Sequence, residues 1–275
     1  MSALPANAPI TGETRLFVIV GHPVAQVKAP MAFNPLFRAA GRNAVMVPID
    51  VAPEQLDVTI AGLKTVANLD GIVVTVPHKA RMAALVDDVF PTGRMVGAIN
   101  AARRERDGRW TGDMFDGRGS VHGLRAAGIE PRGRKILLVG AGGAGGAVAF
   151  AMAEAGAARL TICDLDAAKA RRVVEGVQRA YPAVQVENGP PAPDAGHDTV
   201  INATPLGMAP SDPLPVDPAT IPSSVLVVDV IMKPDVTPLL KAAAAKGCRT
   251  VPGRHMLDGQ VPAVAAFFGI PPANS

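Results

Sequence analysis

Two side chains in this 275-residue chain stand where a proton could be moved, and one glycine-rich turn stands where a dinucleotide could be held. Lys79 follows Thr75-Val76-Pro77-His78, at the junction of an expected strand and helix. Asp116 follows Thr111-Gly112-Asp113-Met114-Phe115 and opens another expected helix. Hydride transfer to or from a carbon bearing a hydroxyl requires a neighbouring group to exchange the hydroxyl proton, and a lysine tuned by burial or oriented by a carboxylate can do this. Each residue also has an ordinary reading, Lys79 as a first-turn surface residue and Asp116 as a helix N-cap. The glycine turn lies between an apolar run at 136–139 and an alanine-rich segment at 147–155. Gly140, Gly142 and Gly145 have the G-x-G-x-x-G spacing, and Ala141, Gly143 and Ala144 complete the turn. Such glycines let backbone N–H groups approach a pyrophosphate at the positive end of a helix. A second apolar run at 160–163 ends at Asp164, where a carboxylate can accept hydrogen bonds from the adenosine ribose. Strand, glycines, helix, strand and acid in this order are a far stronger signal than the triplet alone.

The positioning elements follow from periodicity. Apolar runs at 16–20, 44–49 and 70–76 read as strands, with helical character at 30–40, 53–66 and 78–85 between and after them. Strands alternating with helices predict a mostly parallel sheet. Residues 103–110, with Asp107-Gly108 at their centre, predict a β-hairpin. Beyond the glycine turn, 184–186, 199–201 and 225–230 read as strands, 212–222 as a proline-rich loop and 238–245 as a helix. A loose Ala- and Pro-rich leader precedes the first strand.

Composition narrows the function classes. With 48% hydrophobic and 19% charged residues, the chain has material for substantial cores, and its length suits two domains. The net charge of +3 is small, and the densest basic group, Arg103, Arg104, Arg106 and Arg109, surrounds the hairpin turn, which argues for a solvated turn over a nucleic-acid surface. Cys163 and Cys248 are far apart in sequence, which suits a reducing cytoplasm, and no apolar run is long enough to span a membrane. The first residues lack a signal-peptide pattern, so a cytoplasmic protein is expected. The spacing of His22, His78, His122, His197 and His255 suggests no metal site.

With these segments assembled, the chain resembles the shikimate dehydrogenase family, including its quinate dehydrogenase relatives. The resemblance is carried by GHPVAQVKAP (21–30), TVPHK (75–79), GAIN (97–100), GDMFDG (112–117), GAGGAG (140–145), NATPLGM (202–208), VVDVIMKPDVTPLL (227–240) and GRHMLDGQ (253–260). It implies an α/β fold: an N-terminal α/β substrate domain at 1–118, a Rossmann-type NAD(P)-binding domain at 119–249, and a C-terminal segment, 250–275, whose helix returns to the substrate domain. It implies that Lys79 and Asp116 are the catalytic pair, Lys79 exchanging the proton and Asp116 supporting it and hydrogen-bonding the substrate. Asn100 and Gln260 would bind ring hydroxyls, Thr75 would sit at a further substrate contact, and Asn202, Thr204 and Met208 would lie along the nicotinamide side of the cofactor.

The departures from that family matter for the substrate and the cofactor. The two serines that usually hold the substrate carboxylate are replaced by Val27 and Ala29, neither of which can donate a hydrogen bond. Gln26 and Lys28 are the nearby replacements, with Lys28 carrying the right charge or serving only as a surface residue. Met232 stands where a tyrosine is common. Where NADP-dependent members place an arginine to meet the 2′-phosphate, this chain has Leu165 between Asp164 and Asp166, so NAD is favoured over NADP. The expectation is an NAD-dependent oxidoreductase of a shikimate- or quinate-like cyclic acid, acting as a monomer or homodimer. The competing readings are an NADP-dependent biosynthetic shikimate dehydrogenase and a non-catalytic ligand-sensing relative.

Overall fold

The computed structural model describes residues 9–271. The chain forms two compact units, one from the residues up to Phe115 together with those from Val261 onward, the other from Asp116–Gln260. The sequence reading divided the chain after 118 and after 249, whereas the compact units divide after Phe115 and after Gln260. The leader falls mostly outside the described residues.

The first unit contains β1 (Arg15–Gly21), α1 (Ala29–Ala39), β2 (Ala44–Asp50), α2 (Leu56–Thr65), β3 (Leu69–Val74), α3 (Lys79–Met82), β4 (Asp88–Val89), α4 (Pro91–Val96), β5 (Ala101–Arg104) and β6 (Trp110–Asp113). Its sheet runs β2-β1-β3-β5-β6-β4. Successive residues of β1 point to opposite faces, so Phe17 and Ile19 enter a core with Phe33, Phe37, Phe267 and Phe268, while Val18 and Val20 enter a second with Leu56, Ile60, Ile72 and Trp110. Both sides of the central strand are thereby dry, which is why its sequence shows an unbroken apolar run. The rings of Phe17 and Phe37 lie 4.7 Å apart, and those of Phe17 and Phe268 5.1 Å apart.

The mostly parallel expectation holds for only part of this sheet. β1 pairs parallel with β2 and β3, but β5 runs antiparallel to β3 and, across the Asp107-Gly108 turn that reverses the chain, antiparallel to β6. Gly108 takes φ +87° there. The helix expected over 78–85 is one turn, ending at Met82, because the chain leaves to place β4 beside β6, parallel to it. The short β4 and α4 carry no periodic signal in the sequence. The arginines at the turn also differ from expectation: Arg106 and Arg109 are exposed, but Arg103 and Arg104 are half-buried fasteners. Arg103 stacks over Phe90 and Phe267 and donates to the Phe267 carbonyl, while Arg104 lies over Trp110 and donates to the carbonyls of Lys64, Val66 and Leu69.

The second unit contains α5 (Asp116–Ala126), β7 (Lys135–Val139), α6 (Gly143–Glu154), β8 (Arg159–Cys163), α7 (Ala167–Ala180), β9 (Gln185–Asn188), β10 (Thr199–Asn202), β11 (Leu226–Asp229), α8 (Pro238–Ala245) and β12 (Thr250–Val251). The division after Gln260 falls inside α9 (Arg254–Phe267). Every pairing in this sheet is parallel, in the order β12-β11-β10-β7-β8-β9. That is the doubly wound dinucleotide-binding order, with its switch point between β7 and β10. α6 starts at Gly143, not at Ala147 as its alanine content suggested. Glycine's poor helix propensity is overridden at Gly145, where α6 starts directly against the Gly140 carbonyl and leaves no room for a side chain. Tyr181 follows the last residue of α7 and is half-buried.

Candidate active site

In the second unit the structure gathers the turn after β7, the end of β8 and the loop after β10. Gly140 takes φ +103°, and a Cβ there would lie 2.8 Å from the Ala203 backbone, so the two loops that flank the switch point touch through glycine. A Cβ on Gly145 would lie 1.9 Å from the Gly140 carbonyl oxygen, which allows α6 to start directly against the turn. Gly142, the N-cap of α6, has open space where its Cβ would be. Residues Gly142, Gly143 and Ala144 therefore present the first N–H groups of a helix toward room for a phosphate. The Asp164 carboxylate accepts from Ala141 N at 2.7 Å and from Asp166 N at 2.8 Å, so it is clamped to the glycine turn. Asp166 caps α7, accepting from Ala168 N and Lys169 N, and Leu165 between them is fully exposed. This set of donors, space and acid fits a dinucleotide.

Asn202 ends β10 completely buried. Its Oδ1 accepts from Thr204 N at 3.0 Å and from the Thr204 hydroxyl at 2.7 Å, and its Nδ2 donates to the Leu206 carbonyl at 3.2 Å. Met208 N donates to Pro205 O at 3.1 Å, closing the loop. Asp116, 1% exposed at the first turn of α5, accepts from Gln260 Nε2 at 2.5 Å, so two residues 144 positions apart are joined. A carboxylate in a helix's first turn is also favoured by the helix dipole.

In the first unit, Thr75, Lys79 and Asn100 are tied together through the backbone at the carboxyl end of β3. Thr75 N donates to Val20 O at 2.9 Å, Val74 N to Asn100 O at 2.8 Å, and Ile99 N to Lys79 O at 3.0 Å. The buried Asn100 accepts at Oδ1 from Phe115 N at 2.9 Å, which fixes the orientation of its amide. His78, buried beside Lys79, bonds Val51 O through Nε2 at 2.7 Å and anchors the start of α3. The sequence marks His78 only within the TVPHK segment, and its bond to a carbonyl 27 residues away has no local signal. The loop after β1 approaches the same edge, with His22 N donating to Val76 O at 3.0 Å. In it, Val27 packs on the phenylalanine core, Ala29 is 7% exposed, and Gln26 spends a donor on Pro23 O at 2.6 Å. Lys28 is half-buried at the N-cap of α1. Among the described residues, no group of three or more His, Cys, Asp or Glu is placed to hold a metal ion.

The shikimate dehydrogenase substrate binding domain matches residues 19–102. The shikimate dehydrogenase (NADP(+)) of Rubrobacter xylanophilus is 39% identical over 267 residues, covering 96% of this chain and 94% of that one. The chain belongs to the shikimate dehydrogenase family. As a shikimate dehydrogenase family member it is an NAD(P)-dependent oxidoreductase acting on a CH–OH group, built from an N-terminal substrate domain and a Rossmann-type domain. Quinate dehydrogenase from Corynebacterium glutamicum in complex with NAD aligns with a TM-score of 0.81 at 28% identity, covering 93% of both chains. Ligand-free 5-ketofructose reductase of Gluconobacter sp. strain CHM43 aligns with a TM-score of 0.78 at 29% identity, covering 94% of both chains. The family thus includes NADP-named and NAD-bound members, and among the described residues no helix is long and apolar enough to cross a membrane.

Proposed function

We propose that this shikimate dehydrogenase family enzyme uses NAD to interconvert a ring hydroxyl and a ketone on a shikimate- or quinate-like cyclic acid. The observation that carries the reading is the Asp164 carboxylate clamped into the glycine turn beside an exposed Leu165. A 2′-phosphate placed there would meet the carboxylates of Asp164 and Asp166, whereas a free 2′-hydroxyl can donate to Asp164. Lys169, the nearest cation on α7, has its ammonium 3.9 Å from the Asp166 carboxylate and is partly neutralised by it. The bound nicotinamide supplies the hydride chemistry. The turn from Gly140 to Gly145, with Ala141, Gly142, Gly143 and Ala144, holds the pyrophosphate, and Asn202, Thr204 and Met208 line the nicotinamide side. Lys79 exchanges the proton of the reacting hydroxyl, and Asp116, oriented by Gln260, hydrogen-bonds the substrate. Thr75, Asn100 and Gln260 bind ring hydroxyls, while Gln26 and Lys28 face the acid group. The free cysteines Cys163 and Cys248 suit the reducing cytoplasm, where we place the enzyme.

The loop after β1 favours a second reading of the substrate. Val27 and Ala29 are apolar and packed, and Gln26 is engaged with its own loop, so Lys28 is the one charged side chain offered to a carboxylate by residues 24–29. A neutral polyhydroxy ketone, the type of compound in the name of the similar 5-ketofructose reductase, needs no such donors. Initial rates with NAD and NADP across shikimate, quinate and a neutral ketose such as 5-ketofructose test both readings. NAD with a cyclic acid is the expected pair. Turnover of the ketose alone would move the substrate to the second reading, and a strong preference for NADP with shikimate would overturn the cofactor assignment.

A further inference from the structure

A buried acid that takes no part in the proposed chemistry stands behind the cofactor loop. Asp229, at the end of β11, is 1% exposed. It accepts from Asn202 Nδ2 at 3.2 Å to each oxygen, from Ile231 N at 3.0 Å and from the Thr237 hydroxyl at 2.8 Å. All three donor groups are neutral. Burial pushes its carboxyl above the usual range, and these hydrogen bonds act in the opposite direction. A carboxylate kept in such a place costs solvation that an apolar side chain would not, so its hydrogen bonds define what it does.

The bonds lead in one direction. Asp229 holds the Asn202 amide with its Nδ2 toward β11, which turns Oδ1 toward the loop. That Oδ1 takes both Thr204 N and the Thr204 hydroxyl, and the hydroxyl oxygen in turn accepts from Leu206 N at 3.1 Å. Neither Thr204 nor Leu206 touches Asp229 in these bonds, yet both depend on which way the amide faces. A flipped Asn202 would present an N–H₂ to Thr204 N, and the loop would lose the acceptor that folds it. On the other side, Thr237 uses its hydroxyl twice, donating to Asp229 and accepting from Leu240 N at 3.3 Å as the cap of α8.

We propose that Asp229 is a positioning residue for dinucleotide binding: through Asn202 it sets the conformation of residues 202–208 against the glycine turn. The inference rests on the reading of those residues as the nicotinamide side of the site. It is tested in the full-length enzyme with Asp229→Ala and Asp229→Asn, by calorimetric titration of NAD well below the melting temperature of each protein, together with substrate KM at saturating NAD. Removal of the buried acceptor weakens NAD binding about tenfold in Asp229→Ala, with substrate KM within about twofold, and Asp229→Asn, which keeps one acceptor oxygen, falls between it and the wild type. A purely architectural role would lower the melting temperature and leave the NAD affinity of the folded protein unchanged, and that result in Asp229→Ala would overturn the proposal. Where Asp229→Ala does not fold, Asp229→Asn carries the test, and wild-type NAD affinity in it would overturn the proposal equally. Wild-type protein that binds neither NAD nor NADP would instead sink the underlying reading of the site.

Discussion

Replacing Gly145 by alanine is expected to abolish most dinucleotide affinity while leaving the first unit untouched. The added Cβ would lie 1.9 Å from the Gly140 carbonyl oxygen and 2.7 Å from its carbon, where carbon side-chain atoms do not come within 3.0 Å, so the contact must open by about 1.1 Å. Gly140 cannot retreat. Its N–H donates to Cys163 O at 2.7 Å, and the space behind its Cα is filled by the Ala203 backbone. The start of α6 must move instead, taking its first N–H groups away from the pyrophosphate. Hydrogen bonds near 2.9 Å do not survive a stretch of about 1 Å. Losing two bonds to a charged group, at roughly 1.5–3 kcal/mol each, gives about 3–6 kcal/mol, or on the order of 10²–10⁴ in Kd. Calorimetric titration with NAD measures this directly, alongside the melting temperature. Gly142→Ala is the informative contrast, because its Cβ meets nothing within 4 Å in the protein and would intrude only on a bound phosphate. NAD affinity within threefold of wild type in a stably folded Gly145→Ala protein would refute the reasoning.

Three further outcomes are expected. Lys79→Ala should lower kcat by about 10²–10⁴ with NAD affinity retained, since general acid–base groups contribute on that scale, and initial rates within tenfold of wild type would remove Lys79 from the chemistry. Leu165→Arg should raise kcat/KM for NADP by roughly 10- to 100-fold by pairing a guanidinium with the 2′-phosphate, and an unchanged NADP to NAD ratio would show that this position does not read the ribose. Asp194 is held down at about 2, first by its hydrogen bond from Arg159 and then by Gly196 N. A depressed acid contributes stability above its unfolded value, near 3.8, and loses it as pH falls through its folded value. The melting-temperature gap between wild type and Asp194→Asn should therefore be full near neutral pH and shrink from about pH 4 toward pH 2, and a gap constant down to pH 2 would contradict the assignment.

The Rossmann half was the more legible in sequence. Its strands are short apolar runs because parallel strands are covered on both faces, and helix α8 lies where composition placed it, at Pro238–Ala245. What composition could not show was tertiary override: Gly145 joins α6 because its contact with the Gly140 carbonyl leaves no room for a side chain, whatever its propensity. In the first unit, β4 and α4 escaped because two paired residues and six helical ones are too short for any period to appear. Arg103 and Arg104 were misread because local sequence does not show that their guanidinium groups lie over aromatic rings and backbone carbonyls. Asp164 stands out by type and by its spacing from the glycine turn, whereas Asn202 and Asn100 enter as candidates only through the family resemblance. The partners of Asn202 and Asn100 have no local signal, because Asp229 meets Asn202 across 27 residues of chain and Phe115 meets Asn100 across 15. An acid closing the apolar run 225–228 was the one available hint of Asp229.

Trp110 and Tyr181 are the chain's single tryptophan and single tyrosine, and they fall one in each compact unit. The indole is 1% exposed within an aliphatic core, and its Nε1 has no hydrogen-bond partner among the described residues, surroundings that shift emission to the blue. The protein therefore carries its own pair of optical labels. Denaturation followed by indole fluorescence reports the substrate unit, and the phenol absorbance reports the Rossmann unit. Coincident curves would mean that the two halves melt as one cooperative body, while separated midpoints would give each half its own stability without any engineered probe.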